Sequence, residues 1–122
     1  MLSALFKSII DADEAPVVVC DTASVIVYMN PFAVARYHGN LTGRSIMECH
    51  NPASREAISR VLDWFLASPA HNRVFTSRNE RENKDVYMIA LRNETGELIG
   101  YYEKHEYRNP ETAPLYTFFK GE

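Results

Sequence analysis

The chain has 122 residues and a formal charge of -3, which fits one domain with an ordinary hydrophobic core. The slightly acidic balance disfavours a nucleic-acid partner, because nucleic-acid binding selects for a basic surface. No apolar run approaches the roughly 20 residues that cross a bilayer. Cys20 and Cys49 have neither CxxC nor Cys/His ligand spacing. We therefore expect a soluble cytoplasmic protein with no metal site and no membrane or nucleic-acid partner.

The chain begins with a helical pattern. Its apolar residues recur at the spacing of one helix face, and we expect an amphipathic helix within residues 1–14 that Pro16 closes. A helix this short is marginal alone, so its apolar face must dock on its own domain or on a second copy of the chain. The second case predicts a dimer interface formed by Leu2, Leu5, Phe6 and Ile9.

Two short apolar strands follow, at residues 17–20 and 25–29, joined by a small polar turn. Asn30 and Pro31 then start a short helix, because Asn is a favoured N-cap and Pro is tolerated in the first turn. His38-Gly39-Asn40 ends this helix after residue 37. We expect the hairpin to form one wall of a sheet and the helix to fold back over it.

The Asn-Pro signal recurs at Asn51 and Pro52, after a short helical segment at residues 46–50. It starts the longest helix, which ends before Ser68-Pro69. The apolar stripe of this helix includes Ile58, Leu62 and Phe65.

Three strands complete the predicted chain, at residues 73–79, 85–92 and 98–107. The second strand is an unbroken apolar run, which predicts burial on both faces. In the third, Tyr101, Glu103 and His105 alternate with a second set of residues and share one face. The order of elements indicates an α+β fold in which short helices cover one face of an antiparallel sheet.

Four segments together resemble the PAS family of sensory domains. They are PVVVCD at residues 16–21, IVYMN at 26–30, LTGR at 41–44 and NETGELIG at 93–100. The resemblance implies a PAS-like five-stranded antiparallel sheet in the order 2-1-5-4-3, with a pocket under the helices. It places the domain at residues 15–108, between the N-terminal helix and a C-terminal tail at 109–122. The turn after Asp21 departs from the family pattern, because Thr22-Ala23-Ser24 stands where glycine is usual.

The resemblance also narrows the choice of cofactor. Flavin photoreceptors of the family carry a reactive cysteine in a G-R-x-C pattern, and Ile46 stands at that position, which disfavours flavin. Haem remains an alternative through His50 as the iron ligand. The third option is a small organic ligand in a pocket lined by the long helix and the late strands, for which the candidates are Ile58, Leu62, Phe65, Tyr87, Ile89, Tyr101 and Glu103.

These observations lead to one main hypothesis and two alternatives. The main hypothesis is a stand-alone sensory module that binds a small molecule and signals through homodimerisation or a partner protein in trans, since no output domain follows residue 108. The first alternative is a ligandless protein–protein interaction domain, and the second is a haem-based gas or redox sensor. The sequence contains no legible nucleophile–base pair, so we do not expect an enzyme.

Overall fold

The computed structural model describes residues 3–116, which form three α-helices, one 3₁₀ helix and five strands. Ser3 and Asn51 cap the first and last α-helices. The elements in chain order are α1 (Ala4–Ala12), β1 (Val17–Cys20), β2 (Ile26–Met29), α2 (Pro31–Arg36), the 3₁₀ helix (Ile46–Cys49), α3 (Pro52–Ala67), β3 (Arg73–Asn79), β4 (Lys84–Arg92) and β5 (Leu98–Tyr107). None of the helices within residues 3–116 is long and apolar enough to span a bilayer.

The five strands form one antiparallel sheet in the order β2-β1-β5-β4-β3, which confirms the predicted α+β fold and strand order. Residues that pair directly across neighbouring strands share a face of the sheet. Val18 and Met88 both lie opposite Glu103, so these three residues define one face. This inner face carries the hydrophobic core, which joins it to Ala33 of α2 and Phe65 of α3.

The opposite, outer face corrects two of the predicted ligand-binding residues. Tyr87 pairs with Lys104, and Ile89 pairs with Tyr102, so both project away from the helices. The unbroken apolar run in β4 has no alternation, and the phase of the strand was therefore not legible in the sequence. The prediction that β4 is buried on both faces holds for its first half only, because the residues from Ile89 onwards are half-buried.

One buried amide connects the start of the chain to the sheet and to α2. The Asn30 side chain has no solvent-exposed surface. Its Oδ1 accepts hydrogen bonds from the backbone N–H groups of Val17 and Ala33, each at 2.9 Å. Its Nδ2 donates to the carbonyl oxygens of Ile10, Asp13 and Ala15, at 3.2, 3.3 and 2.9 Å. Asn30 is thus the predicted N-cap of α2 and also fixes the end of α1.

The turn between β1 and β2 lacks the glycine that is usual there and is stabilised by side-chain hydrogen bonds. Ser24 takes the left-handed conformation that favours glycine, with φ of 63°. Its hydroxyl accepts a hydrogen bond from the buried Tyr101 hydroxyl at 2.8 Å. The Asp21 carboxylate accepts from the backbone N–H groups of Ala23 and Val25, at 2.9 and 3.0 Å. The side chains of the turn therefore compensate for its backbone strain.

A single arginine attaches the C-terminal end of α3 to the sheet. The Arg92 guanidinium, at the end of β4, donates to the carbonyl oxygens of Phe65, Ser68 and His71 at 2.7 to 3.0 Å. These carbonyls lie at or just beyond the helix end, where backbone acceptors lack partners within the helix. A cation at the C-terminus also complements the helix dipole. Arg92 therefore holds α3 over the inner face.

Asn30→Asp should strongly destabilise the fold. Aspartate keeps the acceptor oxygen but loses the amide N–H groups, so three carbonyls lose their donor beside a buried charge. We expect the free energy of unfolding at pH 7 to fall by about 3 kcal/mol in urea titrations.

The matched control for this substitution is Asn51→Asp. Asn51 occupies the same Asn-Pro position, but it is exposed and only accepts a hydrogen bond, from Ser54 N at 2.8 Å. Aspartate is an equally good N-cap, so the change in stability should stay within about 0.5 kcal/mol. Equal effects of the two substitutions would show that the buried Asn30 donor is not needed.

Candidate functional site

Two cavities lie side by side between the inner face and the helices. The smaller, of about 20 Å³, has room for little more than one water molecule. Its walls are mostly apolar, and its polar groups come from Tyr37, Cys49, His50 and Glu103. The apolar residues are Val18, Ile26, Met29, Leu41 and Ile46.

The larger cavity, of about 200 Å³, lies between α3 and the strands β3, β4 and β5. Glu103 and His50 line this cavity as well as the smaller one, so they form the boundary between the two. The remaining walls combine short polar and apolar side chains, from Ser54, Ala57, Ile58, Val61, Thr76, Ser77, Val86 and Met88.

Glu103 is the most unusual group at this boundary. Its side chain remains partly accessible, but its carboxyl group makes no hydrogen bond to any residue between 3 and 116. Burial raises the pKa of this carboxyl above its usual value, against the weaker opposing effect of charges on His50, Lys84 and Arg36. Arg36 and Lys84 are themselves engaged by Glu82, at 2.7 and 3.3 Å. Glu103 is thus a half-buried acid that borders open space and has no hydrogen-bond partner among residues 3–116.

His50 reaches the boundary because it ends the 3₁₀ helix. Its ring Nδ1 lies 2.8 Å from the Ile46 carbonyl oxygen, so Nδ1 carries the proton and donates to that oxygen. Its backbone N–H donates to the Met47 carbonyl at 3.2 Å, which closes the last turn. This arrangement fixes the tautomer and leaves Nε2 as the ring atom free to accept from a bound molecule.

Tyr37 contributes a phenol to the smaller cavity from the end of α2, where its backbone N–H donates to the Ala33 carbonyl at 2.9 Å. Burial raises the pKa of this phenol, and the charge of Glu103 acts in the same direction. No pattern in the sequence predicts this position of Tyr37, because it depends on how α2 packs on the sheet. Cys49 is exposed and reaches the same cavity from the 3₁₀ helix.

Of the predicted ligand-binding residues, Ile58 and Glu103 are the ones that line the larger cavity. Phe65 is fully buried in the core, and Leu62 packs against it. Tyr101 is also buried, and its hydroxyl is already bonded to Ser24. None of these three is among the residues that line either cavity.

Tyr87 and Ile89 lie apart from both cavities, on the outer face. The Tyr87 hydroxyl accepts a hydrogen bond from Arg108 at 2.8 Å, and the Arg73 guanidinium stacks over its ring, 4.0 Å from the centroid. The contacts of Tyr87 are therefore structural.

Haem does not fit the site in this form. A cavity of about 200 Å³ is smaller than the roughly 300–1,000 Å³ of sites for drug-sized ligands, so a macrocycle would require the helices to move apart. The His50 ring itself would not prevent ligation, because metal-binding histidines commonly donate the other ring N–H to a backbone carbonyl, as Nδ1 does to Ile46. No cluster of three metal-binding side chains occurs in the part of the chain from 3 to 116.

A second buried polar group lies farther along the same face of β5. His105 is 7% exposed, and neither ring nitrogen has a hydrogen-bond partner among residues 3–116. Burial lowers the pKa of its imidazole to about 4, and the charges of Lys84 and Arg36 add to this effect. The ring is therefore neutral in the folded protein near pH 7.

Comparison with known proteins identifies the fold. No protein-family model and no curated protein matches the sequence. Among solved structures, a C-terminal domain from Streptococcus mutans matches with a TM-score of 0.66 and 20% identity, over 86% of this chain and 84% of that one. The PAS domain of BvgS from Bordetella pertussis matches with a TM-score of 0.62 and 16% identity, over 87% and 85%.

A sensory box sensor histidine kinase from Vibrio cholerae matches with a TM-score of 0.58 and 20% identity, over 84% of this chain and 87% of that one. Together with the strand order, these matches show that the chain has the PAS fold. The predicted resemblance is thereby confirmed at the level of the fold.

His105→Leu should flatten the dependence of stability on pH. The pKa of His105 is lower in the folded state than the ordinary value of 6.5, so the unfolded chain binds the proton first as the pH falls. The stability that neutral His105 contributes is present above pH 6.5 and is lost towards pH 4. The loss amounts to about 1.4 kcal/mol per pH unit.

The measurement is urea denaturation of both proteins across this pH range. Glu103 contributes to the pH dependence of stability with the opposite sign, because its raised pKa favours proton uptake by the folded state. Both proteins contain Glu103, so this contribution cancels in the difference between them. The free energy of unfolding of His105→Leu, relative to that of the original protein, should therefore rise steadily as the pH falls. Parallel curves would contradict the assignment of His105 as a buried neutral ring.

Proposed function

We propose that this protein is a sensory module that binds a small molecule between the sheet and the helices and signals through association with a second copy or a partner protein. The observation that carries the proposal is Glu103, a half-buried carboxyl that has no hydrogen-bond partner in the described chain and borders two cavities. An acid held partly out of water without a hydrogen-bond partner costs stability, and a ligand that bonds it would remove that cost.

The cavity walls support the same proposal. Apolar surface with a few convergent polar groups is what a small-molecule site requires. Here the convergent groups of the larger cavity are Glu103 of β5 and His50 at the end of the 3₁₀ helix, and Tyr37 faces the smaller cavity beside them. A ligand in the larger cavity that bonds both Glu103 and His50 would link β5 to the 3₁₀ helix and so bias the relative positions of these two elements.

Helix α1 is the proposed output element. Its apolar side chains are exposed, at 70% for Leu5, 60% for Phe6 and 64% for Ile9. Leu2, the fourth predicted interface residue, lies outside the described residues. We propose that this face associates with a second copy of the chain, because a contiguous apolar stripe is costly to leave in water. In this scheme residues 1–14 form the output helix, 15–108 the sensory domain and 109–122 a tail.

A groove beside α1 supports this dimer. It has a volume of about 380 Å³ and lies between the helix and the outer face of the sheet. Its walls are almost entirely apolar and are formed by Ile9, Ile10, Asp13, Val17, Val19, Leu91 and Tyr102. The stripe of one copy and the groove of the other have matching apolar character, as a symmetric interface requires.

The test of ligand binding is a native mass spectrum and an absorbance spectrum of the protein as purified. A bound mass would support the sensor, and a Soret band that is lost in His50→Ala would support the haem alternative instead. An apo dimer that remains empty after exposure to a metabolite extract would contradict ligand binding and favour an interaction domain without ligand.

Leu5→Glu combined with Ile9→Glu should convert the dimer to a monomer, because two charges would enter the apolar contact. Sedimentation velocity measures the change, and we expect at least a hundredfold weaker self-association. The matched control is Ala4→Glu with Ser8→Glu, which adds the same charge at the same spacing to exposed positions of α1 away from the apolar stripe. Loss of the dimer in both variants, or in neither, would contradict the proposed interface.

A further inference from the structure

We propose that the boundary between the two cavities recognises a neutral, single-ring molecule that presents an N–H donor next to a carbonyl acceptor, as a lactam or cyclic amide does. The inference rests on the proposed function and deepens it by assigning the chemical class of the ligand. Glu103 is the recognising group, and its contact would be a pair of hydrogen bonds rather than an ion pair.

The size of the ligand follows from the space available. The larger cavity holds about 200 Å³, while a cavity of roughly 150 Å³ is enough to bind benzene. One six-membered ring with a substituent oxygen therefore fits. The apolar walls from Ile58, Val61 and Met88 suit the carbon side of such a ring.

The charges around Glu103 argue against a cationic ligand. Two cationic side chains, Lys84 and Arg36, act on its carboxyl and stabilise its ionised form. They would repel a cation. An anion is disfavoured as well, because both Arg36 and Lys84 already pair with Glu82. A neutral ligand meets neither cost.

The acid form of Glu103 supplies the complementary pattern. A protonated carboxyl has one O–H donor and one carbonyl acceptor side by side, which matches the carbonyl and N–H of a lactam. Burial favours this form, since it raises the pKa of the carboxyl. No proton leaves the site in this scheme, because the O–H proton stays on Glu103 and is shared with the ligand carbonyl.

The titratable and charged groups that surround this carboxyl come from every element packed against it. They are Cys20 on β1, Arg36 and Tyr37 at the end of α2, Cys49 and His50 at the end of the 3₁₀ helix, Lys84 on β4, and Tyr101 and His105 on β5. The cavity walls from α3 and β3 are uncharged. Ionisation of Glu103 is thus the titration expected to change binding most directly.

The test compares δ-valerolactam with piperidine, which has the same ring but no carbonyl and is a cation at neutral pH. Binding is followed through the backbone NMR signals of residues 50, 58 and 103. We expect the lactam to bind and piperidine not to bind. Lactam affinity should fall towards tenfold per pH unit above the pKa of Glu103, because the acid form disappears.

Two substitutions at Glu103 complete the test. Glu103→Gln keeps a donor beside an acceptor, so it should retain lactam binding within threefold and lose the pH dependence. Glu103→Leu fills the same space without polar atoms and should weaken binding at least tenfold. The control Glu56→Gln, at an exposed position on α3, should behave like the original protein.

The outcomes separate this inference from the proposed function. Tighter binding of piperidine, or loss of lactam binding in Glu103→Gln, would overturn the neutral-ligand assignment and leave a sensor with a charged ligand. A co-purified ligand of another class in the native mass spectrum would also overturn the assignment alone. Absence of a bound mass together with no binding of either compound would overturn both.

Discussion

The structure depends on one buried amide, that of Asn30. Its hydrogen bonds reach the end of α1, the linker before β1, the first residue of β1 and the first turn of α2. A hydrogen-bonded group in a low-dielectric interior is expensive to disturb, so these four parts of the chain have closely linked positions. The amide therefore connects α1, which carries the proposed interface, to α2, whose end at Tyr37 lies in the wall of the smaller cavity.

The inner face of β5 shows a division between stability and recognition. Along this strand, the Tyr101 hydroxyl donates to Ser24 within the core, whereas the half-buried Glu103 and the buried His105 have no hydrogen-bond partner in residues 3–116. A sequence selected for stability alone would place apolar side chains at the last two positions. Glu103 borders a cavity and His105 does not line either one, so these groups differ in what they can contact. Only the former has space beside it for another molecule.

Local signals in the sequence predicted most of the fold but little of the site. The two Asn-Pro pairs located the starts of α2 and α3, and the alternation in β5 placed Tyr101, Glu103 and His105 on one face. The apolar run in β4 has no alternation, so the sequence does not show which of its residues face the helices. For this reason Tyr87 and Ile89 were assigned to the wrong face. Tyr37 was missed because a cavity wall depends on how distant elements meet. Such tertiary contacts produce no periodic pattern in the sequence.

The pairing of β1 with β5 has a consequence for how the protein is made. Val18 and Glu103 are neighbours in the sheet but lie at opposite ends of the domain sequence. During synthesis the β1–β2 hairpin must wait for the last strand before the centre of the sheet can close, and such non-local pairing is slow to form. Until β5 leaves the ribosome, β1 presents an unpaired apolar edge. The nascent domain is therefore most exposed to aggregation and chaperone binding before β5 emerges.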